Sequence, residues 1–141
     1  GKIVILNFWS CECPHSERTD KAIMAMFVQW RDDVVMLSIA ANRSENVEAV
    51  KTAANARRLP TVLLDANCFV ADLYEAQTTP HVYVIDRDGI LRYRGAVDDM
   101  TFRKRIPTRF FLDEAVESLL EEHLPTLTES PAYGCTIVRE I

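Results

Sequence analysis

Cys13 stands directly before Pro14, and from there the apolar residues Ile23, Met26, Phe27 and Trp30 recur at i, i+3, i+4 and i+7. That spacing predicts an amphipathic helix over Pro14–Asp33, with Pro14 in the first turn, where a missing N–H costs nothing. The sulfur of Cys13 then sits at a helix N-terminus, where unpaired N–H groups and the positive end of the dipole favour an anion. A thiolate is the reactive form of cysteine. Lowering its pKa by ~1.5 units from the free value takes it from a few per cent ionised to about half at pH 7, a stabilisation of roughly 2 kcal/mol. A protonated His15 and the Ser16 hydroxyl would add to this effect, and Glu12 and Glu17 oppose it. The chemistry such a sulfur performs is nucleophilic attack, on a disulfide or on a peroxide.

The other cysteines lie at positions 11, 68 and 135, an irregular set that does not read as a paired framework. A chain of 141 residues with 48% apolar residues can build one core without cross-links. Its cysteines therefore point to redox or metal chemistry. Cys11, Cys13 and His15, with His81 beside Pro80, form an alternative soft-ligand set for Cu(I) or Zn(II). Cys68 opens a short predicted helix and reads as structural. A net charge of −5 excludes a nucleic-acid binder, and Arg103-Lys104-Arg105 is too short a basic run to reverse that. No apolar run reaches the length of a membrane span. Gly1-Lys2 leads straight into an apolar strand without a targeting signal. The compartment is open between the cytoplasm and, had a signal been removed, the periplasm or the exterior.

Ile3–Phe8 reads as a strand covered on both faces, and Val34–Ala40 as a second. Ser44 is placed to cap a helix carrying Val47, Val50 and Ala54 and ending near Arg57-Arg58. Thr61–Leu64 reads as a short strand and Phe69–Ala76 as a short helix. Val82–Ile85 and Ile90–Tyr93 flank Asp86-Arg87-Asp88-Gly89, a hairpin turn signal. Thr108 is placed to cap a last helix with Phe111, Leu112, Ala115, Val116, Leu119 and Leu120 as its stripe. After Leu124 the chain, with Pro125 and Pro131, is expected to run extended over the surface. The order predicts an α/β fold: a mixed central sheet with helices on both faces, spanning 1–124, and a tail, 125–141, carrying Cys135. The reactive site belongs where the first strand hands over to the first helix.

Asn7-Phe8-Trp9-Ser10-Cys11-Glu12-Cys13-Pro14-His15-Ser16 resembles the active-site segment of the thioredoxin-like superfamily, in particular its redoxin branch of AhpC/TSA-like proteins and thiol:disulfide oxidoreductases. Gly1–Asn7 is similar to the strand leading into that segment, Thr78-Thr79-Pro80 to the family's cis-proline loop, and Val84-Ile85-Asp86-Arg87-Asp88-Gly89 to the hairpin after it. Gly134-Cys135-Thr136-Ile137 resembles a C-terminal Gly-Cys signature of some redoxin-branch proteins. The likeness covers about residues 1–120 and implies a thioredoxin-like fold. It also implies Cys13 as nucleophile, Pro80 as the cis-proline, and Thr79 and Trp9 as residues lining the substrate site. The exposed backbone of Thr79 would pair with an extended substrate segment.

The sequence departs from that pattern at three places. Ser16 stands where the second cysteine of Cys-x-x-Cys belongs, so Cys13 must be resolved by Cys135, by Cys11 or by an external thiol, or act alone. A Cys11–Cys13 bond would close a very small, strained ring. Asn7 replaces a buried acid common in thioredoxins proper, leaving Glu12 or solvent to take the proton. Leu6 replaces a peroxiredoxin proline, and no arginine matches the peroxiredoxin catalytic one, although Ser10 matches its hydroxyl position. The expected activity is thiol-disulfide exchange without a cofactor. Its substrates are protein or small-molecule disulfides, with thioredoxin or glutathione as reducing partner. A thiol peroxidase and the Cys11, Cys13, His15 metallochaperone are the alternatives.

Overall fold

The computed structural model describes residues 1–140. β1 (Ile3–Trp9) leads to α1 (Pro14–Trp30), β2 (Val34–Ala40), α2 (Val47–Arg57), β3 (Val62–Leu64), α3 (Phe69–Leu73), β4 (Thr78–Thr79), β5 (His81–Ile85), β6 (Leu91–Gly95), α4 (Phe111–Leu120) and β7 (Cys135–Thr136). The main sheet has the order β3-β2-β1-β5-β6. β1 runs parallel to β2 and antiparallel to β5, so the sheet is mixed. This is the expected α/β class. Alternation along β1 decides what packs where. Ile3 and Ile5 meet Ile23 and Trp30 of α1 and Leu112 and Val116 of α4, whereas Leu6 and Phe8 meet Ala71 of α3 on the opposite face. The Trp9 side packs with Val50 of α2.

Local signals placed the elements well and their caps less well. α1 stops at Trp30 and continues as a single tight turn over Arg31–Asp33. Asn46, not Ser44, caps α2, its side chain accepting the Ala49 N–H at 2.7 Å. Ser44 is exposed. Phe110 occupies the cap of α4 without a side-chain bond, because Thr108 is held elsewhere, its N–H and hydroxyl both on Asp99 at 2.9 and 3.0 Å.

The larger correction concerns the C-terminal segment, which is partly built into the fold. Arg94 of β6 donates its N–H to Thr128 O and accepts that of Ser130, both at 3.1 Å, so the segment covers the sheet edge. Gly95 has φ +147°, and a Cβ there would overlap Ser130. Glycine is therefore required where the two backbones meet. Further on, β7 pairs antiparallel with β4, and Ile137 is buried against Leu6, Phe8 and Tyr83.

Candidate active site

Cys13 occupies the cap of α1: its carbonyl accepts the Glu17 N–H at 3.1 Å, and Pro14 follows as the first helical residue. The Cys13 Sγ lies 3.5 Å from the carbonyl oxygen of Thr79, and the Thr79-Pro80 bond is cis. Cys13 is joined to Cys135 by a disulfide with a Cα–Cα distance of 6.2 Å, across a sequence separation of 122. Three segments far apart in sequence therefore meet at one sulfur.

The loop between β1 and α1 is gripped by opposite charges. Glu45 accepts the Cys11 N–H at 3.2 Å and the Ser10 hydroxyl, and is itself held by Asn42 at 2.9 Å. Arg57 donates to the Cys11 carbonyl at 2.8 Å and reaches the Ser10 carbonyl at 3.5 Å. An acid thus holds the loop's donors and a guanidinium its acceptors. Such a grip fixes the loop from which Cys13 emerges.

Beneath the loop lies an acid that the sequence reading missed. Asp20 is two helical turns after Cys13 and hence on the same face of α1. It is 1% exposed, accepts Trp9 Nε1–H at 2.6 Å and pairs with Arg57 at 3.1 Å. Burial raises its pKa, and bonds from Trp9 and Arg57 partly offset this. Its second oxygen and Asn7 Oδ1 have no partner among the described residues. Asp20 supplies a buried acid on the helix in place of the one Asn7 lacks on the strand. Glu12 is exposed and takes no part in this network. No periodic signal singled Asp20 out. The clue available was its i+7 spacing from Cys13.

The remaining predicted residues sort by what they touch. Trp9 is fully buried, bonded to Asp20 and stacked under Arg57 with its centroid at 5.4 Å. It supports the loop from beneath, and its side chain is covered from solvent. Ser16 is also fully buried and accepts the Ser10 N–H at 3.3 Å, so its observed bond is to the loop and not to sulfur. Ser10 is turned to Glu45. Thr79 and Pro80 are buried beneath β7, with Thr79 paired to Cys135. His15 packs edge-on against Tyr133, two residues before Cys135, at 5.0 Å.

Cys11 is partly exposed and free, but burial and the Glu45 carboxylate push its pKa up to about 12. Cys68 is buried with Sγ 3.1 Å from Ala41 O, in keeping with a structural role. The metal alternative is not assembled. Among the described residues no three His, Cys, Asp or Glu side chains group as ligands. His15 faces Tyr133, and His81 lies against Tyr83 with a centroid distance of 4.5 Å. No helix is long and apolar enough to cross a membrane among the described residues.

A cysteine at a helix cap, facing a cis-proline loop on a mixed sheet, defines a thioredoxin-like redox protein. Residues 1–94 match the AhpC/TSA family, and the chain belongs to that family. No curated protein matches it. Among solved structures it is similar to an uncharacterised conserved protein from Geobacillus kaustophilus, at 26% identity and TM-score 0.85, covering 99% of this chain and 78% of the other. A hypothetical protein from Sinorhizobium meliloti 1021 aligns at 27% identity and TM-score 0.81, covering 96% and 78%. A secreted Mycobacterium tuberculosis disulfide oxidoreductase shares the fold at 17% identity and TM-score 0.63, covering 86% and 81%. Family membership and the Cys13–Cys135 cross-link together support a redox role of the thiol-disulfide kind.

Removing Arg57 leaves Asp20 buried without its cation. Arg57→Ala is expected to lower stability by about 3 kcal/mol in urea unfolding, and adding Asp20→Asn to recover part of that loss. His81 is held neutral by burial and by Arg94, with its pKa lowered to about 4. In the unfolded chain it takes a proton near pH 6.5. The stability it contributes is therefore complete above pH 6.5 and is lost as pH falls towards 4. His81→Gln should flatten the unfolding midpoint across that window.

Proposed function

We propose that this protein is a thiol-disulfide oxidoreductase in which Cys13 is the nucleophile and Cys135 the resolving thiol. The observation that carries the reading is the Cys13–Cys135 bond, formed at a helix cap beside the Thr79-Pro80 loop. In the reduced protein the Cys13 thiolate, favoured by the N-terminus of α1, attacks one sulfur of a substrate disulfide and expels the other as a thiolate. Cys135 then attacks Cys13 Sγ, releasing the first substrate sulfur and closing the internal disulfide. A dithiol or glutathione-type donor restores the reduced enzyme, and thioredoxin or glutathione is the expected class of partner.

Two features separate this reading from its rivals. Cys11 stays protonated at neutral pH, so it makes a poor attacking group and Cys135 is the better resolving thiol. A peroxidase would use the Ser10 hydroxyl at the peroxide, yet that hydroxyl is committed to Glu45.

Reduction of insulin disulfides with dithiothreitol as donor tests the assignment. Cys13→Ser should abolish turnover. Cys135→Ser should slow it about tenfold or more and accumulate a Cys13-linked mixed disulfide, visible by mass. Cys11→Ser should stay within about twofold of wild type. Rapid consumption of hydrogen peroxide with slow insulin reduction would instead favour the peroxidase.

A further inference from the structure

The C-terminal segment lies where a peptide substrate of the proposed reaction would have to lie. Thr136 and Cys135 pair antiparallel with Thr78 and Thr79, and the Ile137 N–H donates to Gln77 O at 2.9 Å. The segment therefore adds a strand to the backbone before Pro80 and delivers its sulfur to Cys13. A disulfide from Cys13 to a strand seated on β4 has the connectivity of an enzyme–substrate mixed disulfide, with this chain's own tail as the peptide.

Two positions next to that sulfur are specified by the groove. A Cβ on Gly134 would overlap the Thr79 carbonyl and crowd the Pro80 ring, so only glycine fits directly before the cysteine. Two residues after the cysteine, Ile137 is 3% exposed in an apolar pocket built by Phe8, Ile39, Ala71, Ala76 and Tyr83. The side chains named are all apolar, so the pocket suits a branched aliphatic group, and a carboxylate there would be desolvated against them. Thr136, between them, is exposed and leaves its position unrestricted.

We propose that tail residues 134–137 are a tethered mimic of the substrate and that the groove before Pro80, where the resemblance already places an extended substrate, is selective: it takes cysteine-bearing segments of other proteins with glycine before the cysteine and a branched aliphatic residue two positions after it. The inference rests on the oxidoreductase reading and names its substrate class. While Cys13–Cys135 is closed, the groove is filled. A dithiol donor reduces that bond, becoming a disulfide itself, and the tail is then held there by non-covalent contacts alone, among them the β4 pairing, the burial of Ile137, Val138 N–H on Asn42 at 2.7 Å, and Arg139 on Asp72 at 3.0 Å. An oxidised substrate segment displaces it. Cys13 forms a bond to the segment's sulfur, and that sulfur's former partner departs as a thiolate and takes a proton from water. Cys135 then bonds to Cys13, the segment leaves as a thiol after protonation, and the tail strand re-forms.

The test uses the full chain as Cys135→Ser/Gly134→Ala, in which the tail can neither cross-link nor seat. The probe is a synthetic peptide, Ala-Tyr-Gly-Cys-Thr-Ile-Val, whose cysteine carries thionitrobenzoate, and release of the coloured thiol follows attack by Cys13. Replacing the peptide's glycine by alanine, or its isoleucine by aspartate, is expected to lower kcat/KM about tenfold or more. Cys135→Ser alone, with its tail still seated, should react with the parent peptide about tenfold more slowly than the double variant. Rates within twofold across the three peptides would overturn the proposal. If, besides, the wild-type chain forms Cys13–Cys135 dimers, the groove serves a second copy and the proposal fails in that way. Bis-thionitrobenzoate disulfide, a small reagent needing no groove, separates the two levels. Reaction with it but no discrimination among peptides removes this inference alone, whereas no reaction with it removes the oxidoreductase reading as well.

Discussion

The bond between Cys13 and Cys135 is the constraint on which the architecture turns. It ties the cap of α1 to a segment 122 positions away and holds that segment against the Thr79-Pro80 loop. Chain-entropy arguments assign about 4.7 kcal/mol to closing a loop of a hundred residues, so the oxidised fold is stapled as well as sealed. In the proposed reaction the staple is also the reactive group. Reduction removes both functions at once and leaves docking to two strand pairs and a few side chains, so oxidation state and access to Cys13 are coupled by construction.

A reactive sulfur is useful only if the backbone presenting it holds still. Here Glu45 and Arg57 seize the β1–α1 loop by its donors and its acceptors respectively, and Arg57 also neutralises the buried Asp20. The three charged groups form one device. Removing Arg57 or Asp20 leaves the other without its ion partner, which is the costly case for buried ions, whereas removing Glu45 frees the loop's donors. Burial and the Glu45 carboxylate raise the pKa of Cys11, with Arg57 opposing them, and so set it apart from Cys13, only two residues on.

Much of this was readable in the residues. Pro14 and the Ile23, Met26, Phe27, Trp30 stripe located α1 and therefore Cys13 at its cap, and Asp86–Gly89 located the β5–β6 hairpin. Those signals are local: each depends on residues within a few positions of one another. What escaped was non-local. Ile137 and the β4–β7 pairing lie in a proline-bearing segment with no strand periodicity, and although the resemblance implied that Thr79 pairs with an extended segment, nothing in the sequence says that this chain's own tail is that segment. Arg57 read as a helix-end charge and Asp20 carried no periodic signal, because a sequence does not show which charges the tertiary fold buries. The two misplaced caps have a similar origin. Ser44 and Thr108 had suitable side chains, but a competing cap at Asn46 and the hydrogen bonds to Asp99 took precedence.

The proposed chemistry depends most directly on which sulfurs join when the protein is oxidised. Peptide mapping by mass spectrometry, after oxidation of the reduced chain with one equivalent of a mild disulfide reagent at low concentration, reads this without further assumption. The structure predicts a single intramolecular Cys13–Cys135 link with Cys11 and Cys68 recovered as free thiols. A Cys11–Cys13 link, or Cys135 recovered free beside an oxidised Cys13, would contradict it.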